Sequence, residues 1–237
     1  MKTMNLIVAF VLIISTNTVK CQGKKSQLGK YWQIGLGLGE LPFGGSLKPS
    51  ITFGYYFNEK VYAGLVYQIK DEISRNSTSF NAKSAELSGL VSSSETVAQR
   101  LLLQLRFTPF KNGPYLSGGF VFNGKDTETM QFDERIRQIA NKNYNGAIGI
   151  KQIRPAGWGL ALGLGYQYNF ENGLSAGFEW TPAWGQYPNP LYGFSGSSML
   201  STDAKNVVKT KMDKGFNNSV TNMYKVFHIG VAYRFQK

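Results

Sequence analysis

Near the end of the chain, Phe227, Ile229, Val231, Tyr233 and Phe235 alternate with His228, Gly230, Ala232 and Arg234. A period of two sends successive side chains to opposite faces of an extended strand, one face oily and the other small or polar. Seven earlier segments repeat the pattern. Their large residues include Trp32 to Leu38, Ile51 to Phe57, Val61 to Ile69 and Leu101 to Phe107. Leu116, Phe120 and Phe122 follow, then the long series Trp158 to Phe170, then Leu174 to Trp180. Links after the second, fourth and sixth segments are short, and Asn172-Gly173 in the last of them is a strong hairpin signal. The remaining links are longer and polar. An even strand count with alternating short and long links predicts an all-β fold. The expected form is an eight-stranded antiparallel up-and-down transmembrane β-barrel, short turns in the periplasm and long loops outside.

Mean hydropathy is only −0.22, which argues against a helical membrane protein but not a barrel, because half of each strand faces the lumen. A soluble eight-stranded lipocalin would turn its large residues inward. Here the opposite face is glycine and other small residues, too little polar surface for a water-facing exterior. Gly35, Gly37 and Gly39 alternate within one strand, so they read as small lumen residues and not as a nucleotide-binding turn.

The apolar run Leu6 to Ile14, after Lys2 and before a Ser/Thr/Asn stretch, reads as a secretory signal peptide too short to span a bilayer. The expected division is a signal peptide over 1–21, a short periplasmic segment over 22–30, and an outer-membrane barrel over 31–237. Cys21, the one cysteine, is either a lipidation site or lost by cleavage near Cys21–Gln22. Removing Lys2 and Lys20 leaves 24 basic side chains against 14 acidic, a balance of +10. Export argues against nucleic acid as the partner of that charge. It reads as solvated loop charge or as attraction to phosphates of an anionic outer leaflet.

Aromatic residues fall into two clusters, as interfacial girdles require. One rim would hold Trp32, Phe57, Phe107, Phe110, Tyr115, Phe170 and Phe235, the other Trp158, Trp180, Tyr67 and Phe122. Inside, Arg100, Gln104, Arg106, Glu179, His228 and Arg234 form an expected lumen polar network. Buried charges must be paired, and a plausible register sets Glu179 beside His228, between it and an arginine. Phe132, Ile136, Ile139 and Ala140 stand at helical spacing and predict a short amphipathic helix in the loop over 123–156.

Leu105-Arg106-Phe107-Thr108-Pro109-Phe110, running into Gly113-Pro114-Tyr115-Leu116, and the closing Tyr233-Arg234-Phe235 resemble the small outer-membrane β-barrel family. That family includes the OmpA-type transmembrane domain and the opacity-type porins. The resemblance implies a chain folded by the barrel-assembly machinery, although Gln236 and Lys237 follow the terminal aromatic. No peptidoglycan-binding domain is expected beside the barrel.

The expected function is non-enzymatic: a structural or surface-interaction role in the cell outer membrane. The expected partners are outer-membrane lipid, lipopolysaccharide and an unknown extracellular ligand met by loops 71–98, 123–156 and 182–222. A narrow, porin-like passive pore is the alternative, and a lipid A-modifying enzyme built on Glu179 and His228 a further one, though no serine nucleophile stands near them in the sequence pattern. No cofactor is expected, and with one histidine no metal site either. A closed barrel should resist detergent unheated and change its gel mobility on boiling. Identical migration before and after boiling would contradict the architecture.

Overall fold

A computed structural model describes residues 30–39, 47–76, 79–185, 188–197, 199–218 and 224–236. The expected signal peptide, Cys21 and residues 22–29 lie outside the described residues. In chain order the strands begin with β1 (Tyr31–Leu38), β2 (Pro49–Tyr56), β3 (Val61–Gln68), β4 (Asp71–Arg75) and β5 (Leu90–Val97). Next come β6 (Arg100–Phe107), β7 (Gly113–Asn123), β8 (Asp126–Phe132), β9 (Arg137–Ile139) and β10 (Lys142–Tyr144). The last are β11 (Ile148–Arg154), β12 (Gly157–Asn169), β13 (Leu174–Trp184), β14 (Leu191–Ser195) and β15 (Tyr224–Gln236). Two helices, α1 (Phe80–Ser84) and α2 (Thr202–Asn218), complete the described elements.

Eight strands close into an antiparallel barrel in the order β1-β15-β13-β12-β7-β6-β3-β2. They are the eight segments read from the sequence. Closure comes from the full pairing of β1 with β15, from Tyr31 opposite Gln236 to Leu38 opposite Ile229. Along β12, Trp158, Leu160, Leu162, Leu164, Tyr166 and Tyr168 are exposed, while Gly159, Ala161, Gly163, Gly165 and Gln167 are buried. The oily face is the outside, which excludes the lipocalin arrangement. At the β12–β13 hairpin, Gly173 takes a positive φ of 87° and Asn172 Oδ1 accepts from the Leu174 amide at 3.1 Å.

Where they are described, the long links over 71–98, 123–156 and 182–222 are largely strand and helix. Strands β14-β11-β8-β5-β4 form a second, five-stranded sheet, whose order matches that of β13-β12-β7-β6-β3 in the barrel. Four of the five are separated from their barrel strand by two residues each, at 69–70, 98–99, 124–125 and 155–156. Five barrel strands thus carry on past the barrel as an open sheet, while β15, β1 and β2 have no such continuation among the described residues. The inner face of this head sheet continues the lumen-facing alternation and would stand open where those three strands stop. Helices α1 and α2 fill that side. Met130, Phe132, Ile148 and Ile150 from the sheet pack with Ala82 and Ala85 near α1, and with Ala204, Val208 and Met212 of α2. The helix residues recur every four positions, one turn apart, so they form a single stripe. Ser79 caps α1, its hydroxyl accepting from the Ala82 amide at 3.3 Å, and Lys211 of α2 pairs with Glu86 at 2.8 Å.

The amphipathic helix expected around Phe132 to Ala140 is replaced by the end of β8 and a β9–β10 hairpin. Ala140 and Asn141 turn that hairpin with φ of 50° and 60°, which no helix contains. Phe132 and Ile139 are buried, but Ile136 between them is 69% exposed, so helical spacing was a coincidence of two strands meeting one core. An Ile150→Ala substitution is expected to destabilise the head by about 2–5 kcal/mol and leave the barrel closed. Protease should then cut within 126–154 while the boiling-dependent mobility shift persists; loss of both together would show that head and barrel do not separate.

Candidate functional site

The lumen collects the polar side chains that the strand alternation turns inward. Its centre is Glu179 of β13, fully buried, with β12 on one side and β15 on the other. Arg106 of β6 reaches across the barrel to Glu179 Oε2 at 2.6 Å, and the Tyr115 hydroxyl donates to the same oxygen at 3.0 Å. Ser117 and Thr181 each donate to Glu179 Oε1 at 2.8 Å. In the amide orientation that satisfies its neighbours, Gln104 donates to Oε1 at 2.6 Å and accepts from Arg106 Nη2 at 2.7 Å. The Arg106 guanidinium lies between two rings, 4.8 Å from the centroid of Tyr62 and of Tyr115. Room for those rings comes from glycine: a Cβ at Gly64 would sit 2.2 Å from the Tyr62 hydroxyl, and one at Gly165 would meet the Tyr115 ring at 2.2 Å.

Glu179 and His228 do stand opposite each other in the β13–β15 register. The carboxylate nevertheless spends its hydrogen bonds elsewhere, and His228 Nδ1 meets Ser50 Oγ at 2.8 Å. Tyr115 is a correction to the rim assignment. It is buried in the lumen, as alternation with outward Leu116 requires, and serves Glu179. The other eight aromatic residues chosen for the girdles are exposed: Trp32, Phe57, Phe107, Phe110, Trp158, Phe170, Trp180 and Phe235. So are Tyr67 and Phe122. Strand β13 runs beyond Trp180, which faces outward opposite Leu164, and exposed Trp184 takes the end of the strand.

Beyond the charged centre, toward the head, Val66, Leu102, Val121, Ala161, Ala183 and Val226 form a buried apolar layer contributed by six strands. Above it, Gln68 donates to Phe227 O at 2.6 Å and to Gly39 O at 3.1 Å, and buried Lys48 donates to Ala98 O at 2.5 Å. Arg100 donates to Asn123 Oδ1 at 2.8 Å and to Lys225 O at 2.9 Å. Toward the short turns, Tyr31 and Tyr56 stack at 4.4 Å, with the Arg234 guanidinium 5.4 Å from the Tyr31 ring. All six residues of the expected polar network therefore face the lumen, but they divide among three levels. Arg106, Gln104 and Glu179 make one cluster, with His228 beside it; Arg100 and Arg234 belong to opposite ends. Ser50, Tyr62, Ser117 and Thr181 complete the network and were not singled out from the sequence; alternation on their strands was the available signal.

A cavity of about 30 Å³ lies among Gln33, Thr52, Arg106, Tyr115, Gln167 and His228, space for roughly one or two waters. No trio of His, Cys, Asp or Glu able to hold a metal occurs among the described residues.

A second polar cluster lies inside the head. Glu128 accepts from Ser79, Asn81 and Ser93. Arg154 pairs with Glu95 at 2.6 Å and stands 3.8 Å from Asp126. Burial opposes the charge on Arg154, but Asp126 and Glu95 outweigh it and raise its pKa. Burial, then Asp213, which accepts its hydroxyl at 2.8 Å, raises the pKa of Tyr192. These contacts tie the foot of the head sheet to α2.

No family model matches the sequence, and no curated protein matches it either. Among solved structures, CarO of Acinetobacter baumannii superposes with a TM-score of 0.55 at 15% identity, covering 86% of this chain and 97% of that one. CarO2 of the same organism gives 0.55 at 13% identity, covering 89% and 100%. A major outer membrane protein from Thermus thermophilus gives 0.44 at 14%, covering 87% and 99%. What the two CarO structures share with this chain is the fold, over nearly the whole length of each.

Removing one partner of the central pair should strand the other in a lumen with space for only about one or two waters. Glu179→Ala is expected to cost about 3–5 kcal/mol in urea unfolding from lipid vesicles. The double substitution Arg106→Met/Glu179→Leu should cost clearly less; equal losses would show that no charge is left stranded.

Proposed function

We propose that this protein is a sealed outer-membrane barrel that holds a folded head outside the cell, with a non-enzymatic structural or surface-interaction role. In this reading residues 1–21 direct export, 22–30 lie in the periplasm, and 31–237 form the membrane-embedded unit assembled by the barrel-assembly machinery. The exposed apolar exterior of the barrel supports a bilayer setting, because such a surface is stable only against hydrocarbon. The kinship with OmpA-type and opacity-type barrels belongs to the same proposal. The head, not the lumen, is the part free to meet an external ligand.

The apolar layer of Val66, Leu102, Val121, Ala161, Ala183 and Val226 carries the reading. Ions cross a narrow passage by exchanging water for polar groups, and these six side chains supply none. Gln68, Lys48 and Arg100, bonded across the mouth above it, reinforce the seal. That weighs against the porin-like pore. The lipid A-modifying reading is weakened by Glu179, whose oxygens are saturated by five donors. The serine that does lie beside His228, Ser50, is 2% exposed and beneath the sealed mouth, out of reach of a lipid substrate.

In planar bilayers the purified chain should show no steady single-channel current. A reproducible unitary conductance would overturn the sealed reading. Unchanged lipid A in cells carrying either the wild type or His228→Ala is also expected; a lipid A change that depends on His228 would reinstate the enzyme.

A further inference from the structure

The outer face of the head sheet continues the outer face of the barrel, and its chemistry changes in order along the strands. From β7 to β8 the outward residues are Phe120, Phe122, Lys125, Thr127, Thr129 and Gln131, all exposed or half-buried. From β3 to β4 they are Tyr67, Ile69, Lys70, Glu72 and Ser74. From β6 back into β5, Leu103 and Leu101 give way to Thr96, Ser94 and Ser92. Register aligns these positions into rows. Ser74, Ser94, Thr129, exposed Lys151 and Gly193 form one, and Ser92, Gln131, Gly149 and Ser195 another. The helices cover the opposite face, so the hydroxyl rows are open.

We infer that this face is a docking surface for the phosphorylated saccharide of glycolipids packed around the barrel. The inference rests on the bilayer setting proposed above, and its first support is continuity: whatever lipid covers Phe120 and Phe122 must extend its headgroup along this face. The second is charge. Lys125 and Lys70 follow the aromatic rim directly, at the level of a phosphate, with Lys151 higher up; the Lys70 contact to Glu72, 3.6 Å between exposed side chains, is a weak one. The third is reach. At roughly 3.3 Å per residue, Thr127 to Gln131 lie roughly 15 to 30 Å along the strand beyond Phe122. A simple phospholipid headgroup ends at the lysines; only one extended by sugars arrives at the hydroxyls. A protein partner would find only half-buried Ile153 and exposed Leu191, side by side in the row of Thr127, a smaller apolar centre than such interfaces require. Small hydroxyls and an amide, by contrast, can donate to and accept from sugar hydroxyls.

The test uses the full chain in nanodiscs, with bound lipid counted after extraction. The probes are rough lipopolysaccharide, the same material treated with phosphatase, lipid A without core sugars, and phosphatidylglycerol. The wild type should retain rough lipopolysaccharide at least tenfold better than phosphatidylglycerol. Lys70→Ala/Lys125→Ala/Lys151→Ala should remove most of that preference, as should the phosphatase treatment. Ser94→Asp/Thr129→Asp should weaken rough lipopolysaccharide severalfold and leave lipid A without core unchanged. Equal retention of lipopolysaccharide and phosphatidylglycerol by the wild type, or wild-type binding by both variants, would overturn the inference. The boiling shift is read in every sample. A wild type that inserts but shows no preference overturns the glycolipid inference alone, whereas one that fails to insert overturns the bilayer reading with it.

Discussion

In the bilayer setting proposed above, no backbone amide or carbonyl within the hydrocarbon can turn to water, so each of the eight barrel strands must find two neighbours. The ring closed by β1 and β15 meets that demand, and its size dictates the rest. Eight strands enclose a space just wide enough for side chains. The lumen is accordingly a packed core. Glycines at 54, 64 and 165 admit the rings of Tyr62 and Tyr115, those rings flank Arg106, and Arg106 is held by Glu179. With the carboxylate also served by Ser117, Thr181, Tyr115 and Gln104, a buried ion pair that would otherwise be expensive becomes fully satisfied.

The same closure shapes the head. Beyond the proposed membrane span a strand no longer needs a closed ring, because water can satisfy its edge. Among the described residues five strands continue and three do not, leaving an open sheet with one face that inherits the inward alternation. That face needs a cover, and α1 and α2 supply it through Ala82, Val208 and Met212. The junction is polar and bonded across elements: Asp126 accepts from the Ala98 amide at 2.6 Å, and Lys48 donates to Ala98 O. Those bonds join the end of the barrel to the foot of the head sheet.

Much of this was legible in the residues. Large side chains every second position gave the barrel, its strand faces and the pairing of Glu179 with His228 across β13 and β15. Parity on β7 already implied an inward Tyr115, although its aromatic character suggested the rim. The head was hidden for a physical reason. In Leu90–Val97 and Asp126–Phe132 the outward positions are Ser, Thr and Gln, and the inward ones include Ser93, Glu95 and Glu128. Such strands lack the oily alternation of the barrel and resemble polar loop. Their partners could not be inferred from one segment, since Glu128 is satisfied by Ser79 and Asn81 of a different link. The four-residue spacing of Ala204, Val208 and Met212 was the clearest overlooked sign of a second core.

The barrel wall continues as a packed head and not as loops. Hydrogen exchange on the full chain in nanodiscs tests it most directly. Amides in 126–132 and 148–154 are expected to exchange slowly, on the scale of those in 113–123 and 157–169, because their hydrogen bonds lie within a sheet of five strands. Exchange of 126–132 and 148–154 within seconds, at the rate of an open loop, would contradict it.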